Sequence, residues 1–325
     1  MAVSPPEFYS REYFYSHSQR GRVSGYPDYT RSSSQADVAC YLVWKYFDVS
    51  SVLEIGCALG FLVEALRQCG LDAKGIDVSR FAVEHCCPAA RNHVFWGDVT
   101  KGLPLEAESA ELICAFETLE HLAPADVPAA LREIRRLTRR YVVATIPSFG
   151  PNPFGVGGFF GGKVRPELID HYVSLGYEYD GPIPLEDLAR DDAGQPLEGH
   201  LTIASFRWWI RCFEAAGLVP CAEVVKRIQP ELERFELKEA WNFYAFRLAH
   251  VPEPPTPLRT PAEVSAVEGA LGLSIRLRRF RTRRWISRLL GPKLTRLVRG
   301  VRKAVLRWAQ RASATDVSTW RRLLR

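Results

Sequence analysis

The ten residues SVLEIGCALG, positions 51–60, constrain this chain more than any other stretch. Val52, Leu53 and Ile55 form a short apolar run that ends in a glycine turn. FLVEALRQCG follows, with Phe61, Leu62, Ala65 and Leu66 on one helical face. A strand, a glycine turn and a helix in that order present backbone N–H groups and a helix N-terminus to a ligand. Gly56 and Gly60 are expected to let the backbone approach that ligand, since a side chain at either position would fill the space. Glu54 falls at the carboxyl end of the strand, where ligands bind in open α/β sheets. A second apolar segment, KGIDVS, ends in Asp77, where a carboxylate accepts from ribose hydroxyls. The turn reads EIGCALG, not GxGxxG, and no phosphate-binding lysine follows it. That argues against a dinucleotide or nucleoside triphosphate and for a nucleoside without phosphates.

Further strands alternate with helices. Strands are expected at 51–55, 73–77, 94–98, 111–116 and 141–147, with helices at 60–69, after Ser79 and at 125–138. This alternation predicts an α/β fold with a doubly wound, mostly parallel sheet. A helix over 206–218 follows, ending at Gly217, and CAEVVKRI with WNFYAFRLA is expected to complete the sheet as an antiparallel pair.

The order of these pieces resembles the class I S-adenosylmethionine (SAM)-dependent methyltransferases, with a Rossmann-like fold. VLEIGCALGFLVEAL is similar to their first motif, with Ala58 in place of the middle glycine. GIDVS is similar to the second, GDVT (97–100) to the adenine-side turn, and ELICAFETLEHL (111–122) to the fourth strand and its following helix. The resemblance covers roughly residues 36–150. It implies SAM as cofactor, held by Glu54, Gly56, Cys57, Gly60, Asp77 and Val78, with Asp98, Val99 and Phe116 beside it. Asp98 is then expected near the adenine amino group; the alternative is a turn or capping aspartate.

Glu117, Glu120 and His121 recur at i, i+3 and i+4, which in a helix places them on one face beside the methyl donor. Two carboxylates and an imidazole suit a divalent cation such as Mg or Mn. Alternatively His121 acts as a general base on an attacking hydroxyl, with Glu117 beside it. His200, in GHLTIASFRWW, is placed to approach the same group. ExxEH with a downstream histidine resembles the metal site of small-RNA 3′-terminal ribose 2′-O-methyltransferases, and it is similar to the motif of ubiquinone-pathway O-methyltransferases. There the metal lowers the pKa of the acceptor hydroxyl. A third alternative is structural, with these residues ordering the loop at the sheet edge. GHLTIASFRWWIRCFEAAGL resembles the corresponding region of bacterial methyltransferases associated with surface-glycan assembly. Trp208 and Trp209 are candidates for stacking on a sugar, against the alternative of core packing.

The chain has 325 residues, ample for one full domain with appendages. Residues 1–35 form an aromatic arm with Tyr9, Tyr13, Phe14, Tyr15, Tyr26 and Tyr29, expected either to close over the cofactor as a flap or to pack on the body. The methyltransferase domain is placed at 36–250. Its 148–205 portion is a glycine-rich substrate loop followed by an acidic insertion. Prolines between 252 and 261 mark a linker (251–271). The eight cysteines show no CxxC pair and read as reduced thiols. The start lacks a secretory signal and no apolar run reaches the roughly 18 residues of a membrane span, so a cytoplasmic protein is expected.

The net charge of +6 conceals an asymmetry: residues 271–325 hold 17 Lys and Arg against Asp316 alone. In the tail (272–325), Leu294, Val298, Val301, Val305 and Trp308 recur at helical spacing, with Arg296, Arg299, Lys303 and Arg307 opposite. Such a basic amphipathic helix suits an anionic membrane surface, at the inner face of a membrane. Nucleic acid, or docking on the acidic body or a partner, are the alternatives. The resulting expectation is an O-methyltransferase for a sugar hydroxyl, the acceptor being a saccharide or lipid-linked saccharide. An RNA ribose 2′-O-methyltransferase, or an inactive membrane-bound scaffold, are the other readings.

Overall fold

The computed structural model describes residues 6–15, 28–150, 163–175, 179–191, 194–237, 242–255 and 258–273. The basic tail expected to be helical therefore lies almost wholly outside the described residues, and the glycine-rich run 151–162 lies wholly outside them.

The aromatic arm begins with a 3-10 turn at Pro6–Phe8 and the short helix α1 (Arg11–Tyr15). Helix α2 (Ala36–Tyr46) leads into β1 (Ser51–Ile55), α3 (Phe61–Gln68) and β2 (Asp72–Asp77). Then come α4 (Arg80–Glu84), β3 (Val94–Trp96), β4 (Ala110–Phe116), α5 (Val127–Leu137) and β5 (Thr138–Thr145). Helices such as α3 and α5 form with one apolar face toward the sheet. On α5, Val127, Ala130, Leu131, Ile134 and Leu137 are buried while the intervening arginines face outward. β4 and β5 are buried along nearly their whole length, as strands covered on both faces must be.

The strand order of the seven-stranded sheet is β3-β2-β1-β4-β5-β9-β8. All pairs from β3 to β5 are parallel, and β9 (Phe243–Leu248) runs antiparallel to both β5 and β8 (Leu218–Pro220). Chain order reverses direction between β1 and β4, so the crevice at their carboxyl ends is the switch point where such sheets bind ligands. Glu54, Asp77 and Phe116 end strands at that crevice.

Between β5 and β8 the chain makes β6 (Ser148–Phe149), α6 (Ile169–Leu175), β7 (Ala204–Ser205) and α7 (Phe206–Ala215). Residues 163–205 have a small core of their own, with Phe149, Val164, Tyr172, Ile183, Leu188 and Ile203 buried together. Helix α7 starts at Ser205, whose hydroxyl accepts from the Trp208 amide at 3.1 Å, and it stops before Gly217 at φ 85°.

The structure departs from the sequence expectation at CAEVVKRI. It is not a strand but the start of α8 (Ala222–Arg234), and the strand that pairs with β9 is the preceding Leu218–Pro220. Val224, Val225, Ile228 and Leu232 recur at helical spacing, and the β-branched pair misleads a propensity reading. Within the Pro-rich stretch, Thr260 caps α9 (Pro261–Ala270) in a reciprocal box with Glu263. Glu268 of that helix pairs with Arg234 of α8 at 2.6 Å, so this stretch is packed on the body rather than extended throughout as a linker.

Candidate active site

A cavity of about 380 Å³ opens at the carboxyl ends of β1, β2 and β4. Glu54, Gly56, Cys57, Asp77 and Val78 line one side; Asp98, Val99, Phe116, Glu117 and His121 line another, and Tyr9, Tyr13 and Tyr29 face it from the arm. Gly60 instead sits at the start of α3, where a Cβ would lie 2.9 Å from Ala90, so its space is taken by protein. Gly56 is similar in this respect. Although it lines the cavity, a Cβ there would lie 2.3 Å from the Thr118 side chain, and its φ of 74° favours glycine independently.

Asp77 is the brace of the first turn. One oxygen accepts from the Ala58 amide at 2.7 Å and the other from the Ser79 amide at 2.8 Å. Ala58 has φ 47°, so the replacement of glycine there leaves the left-handed geometry intact. Burial pushes the Asp77 carboxyl up to about 6, against the pull of those two amides. Glu54 is 6% exposed, and its Oε2 has no hydrogen-bond partner. Burial, and then the nearby Asp77 charge, raise its pKa well above the usual carboxylate range. Two buried carboxyls facing one cavity fit a ligand that brings positive charge and hydroxyl donors.

Asp98 is occupied locally. Its Oδ1 accepts from the Thr100 amide at 3.0 Å and its Oδ2 pairs with Lys101 at 2.9 Å, while the residue still lines the cavity.

The ExxEH segment does not continue as an α-helix. Glu117 takes φ 50°, and only a 3-10 turn, Leu119–His121, follows. The three side chains therefore do not share a face: Glu117 and His121 line the cavity, while Glu120 is fully buried. His121 Nδ1 lies 3.1 Å from the Gly199 carbonyl oxygen. A carbonyl only accepts, so Nδ1 carries the proton and Nε2 keeps its lone pair. Burial lowers the His121 pKa to about 4, which keeps the ring neutral near pH 7. Behind it, His200 Nε2 is 4.0 Å from Glu120 Oε1, and the two histidine rings meet edge to face at 4.9 Å. Burial raises Glu117 to about 7, raises Glu120 well above the carboxylate range and lowers His200 well below the imidazole range.

The arm closes the other side. Tyr9 and Tyr13 set their rings edge-on toward His121 at 5.6 and 6.3 Å, and the Ser79 hydroxyl donates to the Tyr9 carbonyl at 2.6 Å. Trp209 is wholly buried in the core, whereas Trp208 is only partly so. Sequence reasoning did not find Thr118, Lys163, Glu198 or Gly199. None carries a local signal, because each acts on a residue distant in the chain.

Residues 52–140 match the family described as "Methyltransferase domain". This stretch is a methyltransferase domain. The chain is similar in structure to a protein of Pyrococcus horikoshii (12% identity, 73% of this chain and 95% of that one, TM-score 0.43). It is similar also to a SAM-dependent methyltransferase of Archaeoglobus fulgidus (16%, 67% and 94%, TM-score 0.41). A third similar structure is the magnesium protoporphyrin IX methyltransferase of Synechocystis, solved with S-adenosylhomocysteine bound (12%, 67% and 84%, TM-score 0.39). No curated protein sequence matches the chain. The buried, unpartnered Glu54 Oε2 and the Asp77 carboxylate fit a cofactor such as SAM, which would bring an ammonium, a sulfonium and ribose hydroxyls.

Proposed function

We propose that this methyltransferase transfers the SAM methyl group to a hydroxyl, that of a saccharide in a glycan or glycolipid precursor. The observation that carries O-methylation is the His121 tautomer. With Nδ1–H given to the Gly199 carbonyl, the neutral ring has one free acceptor, Nε2, and His121 shares its cavity with the cofactor residues. As the acceptor oxygen attacks the methyl carbon and the C–S bond breaks, Nε2 takes the hydroxyl proton. Tyr9 and Tyr13 help exclude water, and their rings give a sugar apolar faces to lie against.

The test is transfer of radiolabelled methyl from SAM into fractionated cell extract by the purified protein. Label in lipid-extractable or glycan material supports the saccharide reading. Label confined to nuclease-sensitive material replaces it with RNA ribose methylation, and His121→Gln should lower transfer about 100-fold in either case.

A second reading is favoured by a separate observation. Both Glu120 carboxylate oxygens and His200 Nδ1 are buried without a hydrogen-bond partner, and Glu120, His121 and His200 each offer a ligand atom within 4.8 Å of the others. These residues fit a divalent cation, which would lower the pKa of the acceptor hydroxyl. Full activity after dialysis against EDTA removes this reading and leaves His121 as the base; loss of activity restored by Mg²⁺ or Mn²⁺ supports it.

A further inference from the structure

Beside the histidines stands an ion pair with no part in the chemistry above. Lys163 Nζ pairs with Glu198, and both side chains are largely covered, at 15% and 27% exposure. Lys163 belongs to the framework of the 163–205 insertion: its carbonyl accepts from the Ala189 amide at 2.9 Å, and the next residue, Val164, bridges Leu188. Glu198 belongs to a turn in unusual geometry, with φ 59° there and 74° at Gly199. For a residue with a Cβ the left-handed region is costly, and it persists only where surrounding contacts impose it.

That turn sets the direction of the Gly199 carbonyl, which accepts from His121 Nδ1. On its far side the chain is fastened to the catalytic segment. The Leu201 and Thr202 amides both donate to the Glu120 carbonyl at 2.8 and 2.9 Å, and the Thr202 hydroxyl donates to the Leu122 carbonyl at 2.6 Å. On its near side the Leu197 amide reaches the Ala189 carbonyl at 2.9 Å. The side chain of Glu198 itself, the strained residue, is held by Lys163. Without that ammonium the Glu198 carboxylate stands uncompensated near Glu117 and Glu120, whose ionisation it opposes.

We propose that Lys163 is a positioning residue for methyl transfer. By pairing with Glu198 it keeps the 198–199 turn left-handed, so that the Gly199 carbonyl holds the His121 Nδ1 proton and Nε2 stays free for the acceptor. This rests on His121 being the base. A pair acting on stability alone would leave the ring tautomer unchanged when lost, whatever its loss costs the fold.

The experiment uses the full chain saturated with S-adenosylhomocysteine and labelled with ¹⁵N in its imidazoles. Long-range ¹H–¹⁵N spectra report the tautomer of His121, assigned by its absence in His121→Gln. The parent should show a single form protonated at Nδ1. Lys163→Met should show a mixture, with a loss of about tenfold in kcat for label transfer into the extract fraction that the parent methylates, and an unchanged KM for SAM. Lys163→Arg, and the exchange combining Lys163→Glu with Glu198→Lys, should restore the single tautomer. A parent tautomer with parent kcat in Lys163→Met overturns the proposal. Full activity in His121→Gln overturns instead the base assignment on which it rests, and is read from a different protein.

Discussion

Asp77 uses one carboxylate for two purposes, fastening the first turn through the Ala58 and Ser79 amides and facing the cofactor cavity. Asp77→Ala should weaken SAM binding about 100-fold, since hydrogen bonds to a charged acceptor are lost along with the turn's brace. Asp77→Asn keeps one carbonyl oxygen and should lose less; equal calorimetric affinity for the parent and Asp77→Ala would contradict the assignment. Glu117 makes a pH prediction. Burial raises its carboxyl from 4.5 to about 7, so over that window the folded chain holds a proton that the unfolded chain has released. This contribution to stability is complete below pH 4.5 and is lost as pH rises through 7. Glu117→Gln removes the loss and should gain about 1–3 kcal/mol over the parent at pH 8, with no such gain at pH 4.5. Thermal melts at both pH values decide it, and an identical difference at the two would sink it.

At the scale of elements, the turn at Gly199 is the most sensitive piece outside the sheet. A Cβ there would lie 2.5 Å from the Phe8 ring, at a φ of 74°. Gly199→Ala should therefore cost about 1–3 kcal/mol in a denaturant titration and also lower kcat, because the carbonyl on His121 moves with the turn. A variant with parent stability and parent turnover would show that the arm and turn adapt freely. The parallel sheet and its helices were legible in the sequence because Val52–Ile55 and Leu112–Phe116 are short, mostly buried strands, the first ending in a glycine turn, and α5 has a single apolar stripe. CAEVVKRI was not, since Val224 and Val225 favour a strand locally while their burial against the sheet follows a helical period. At the site, Glu54, Asp77 and His121 could be picked out by their place after strands. The sharing of Glu117, Glu120 and His121 between two environments could not, because it depends on the left-handed Glu117. The partnership of Lys163 with Glu198 spans 35 residues and has no local trace.

At the scale of the molecule, the described residues up to Leu271 belong to one compact unit. The chain beyond carries +16 of charge over residues 271–325, leaving −10 for the rest. No described helix is long and apolar enough to cross a membrane. Removing residues 272–325 should leave SAM affinity unchanged and abolish sedimentation with phosphatidylglycerol vesicles. Full-length protein that never sediments with them would exclude the membrane assignment.

The family match ends at residue 140, whereas Lys163, Glu198, Gly199, His200 and Thr202 all lie beyond it. The segment after Glu198 is fastened to the Glu120 and Leu122 carbonyls by backbone and hydroxyl bonds. Bonds made through backbone groups do not depend on the side chains between them, so residues 163–205 can change their side chains while the seam onto the sheet edge persists.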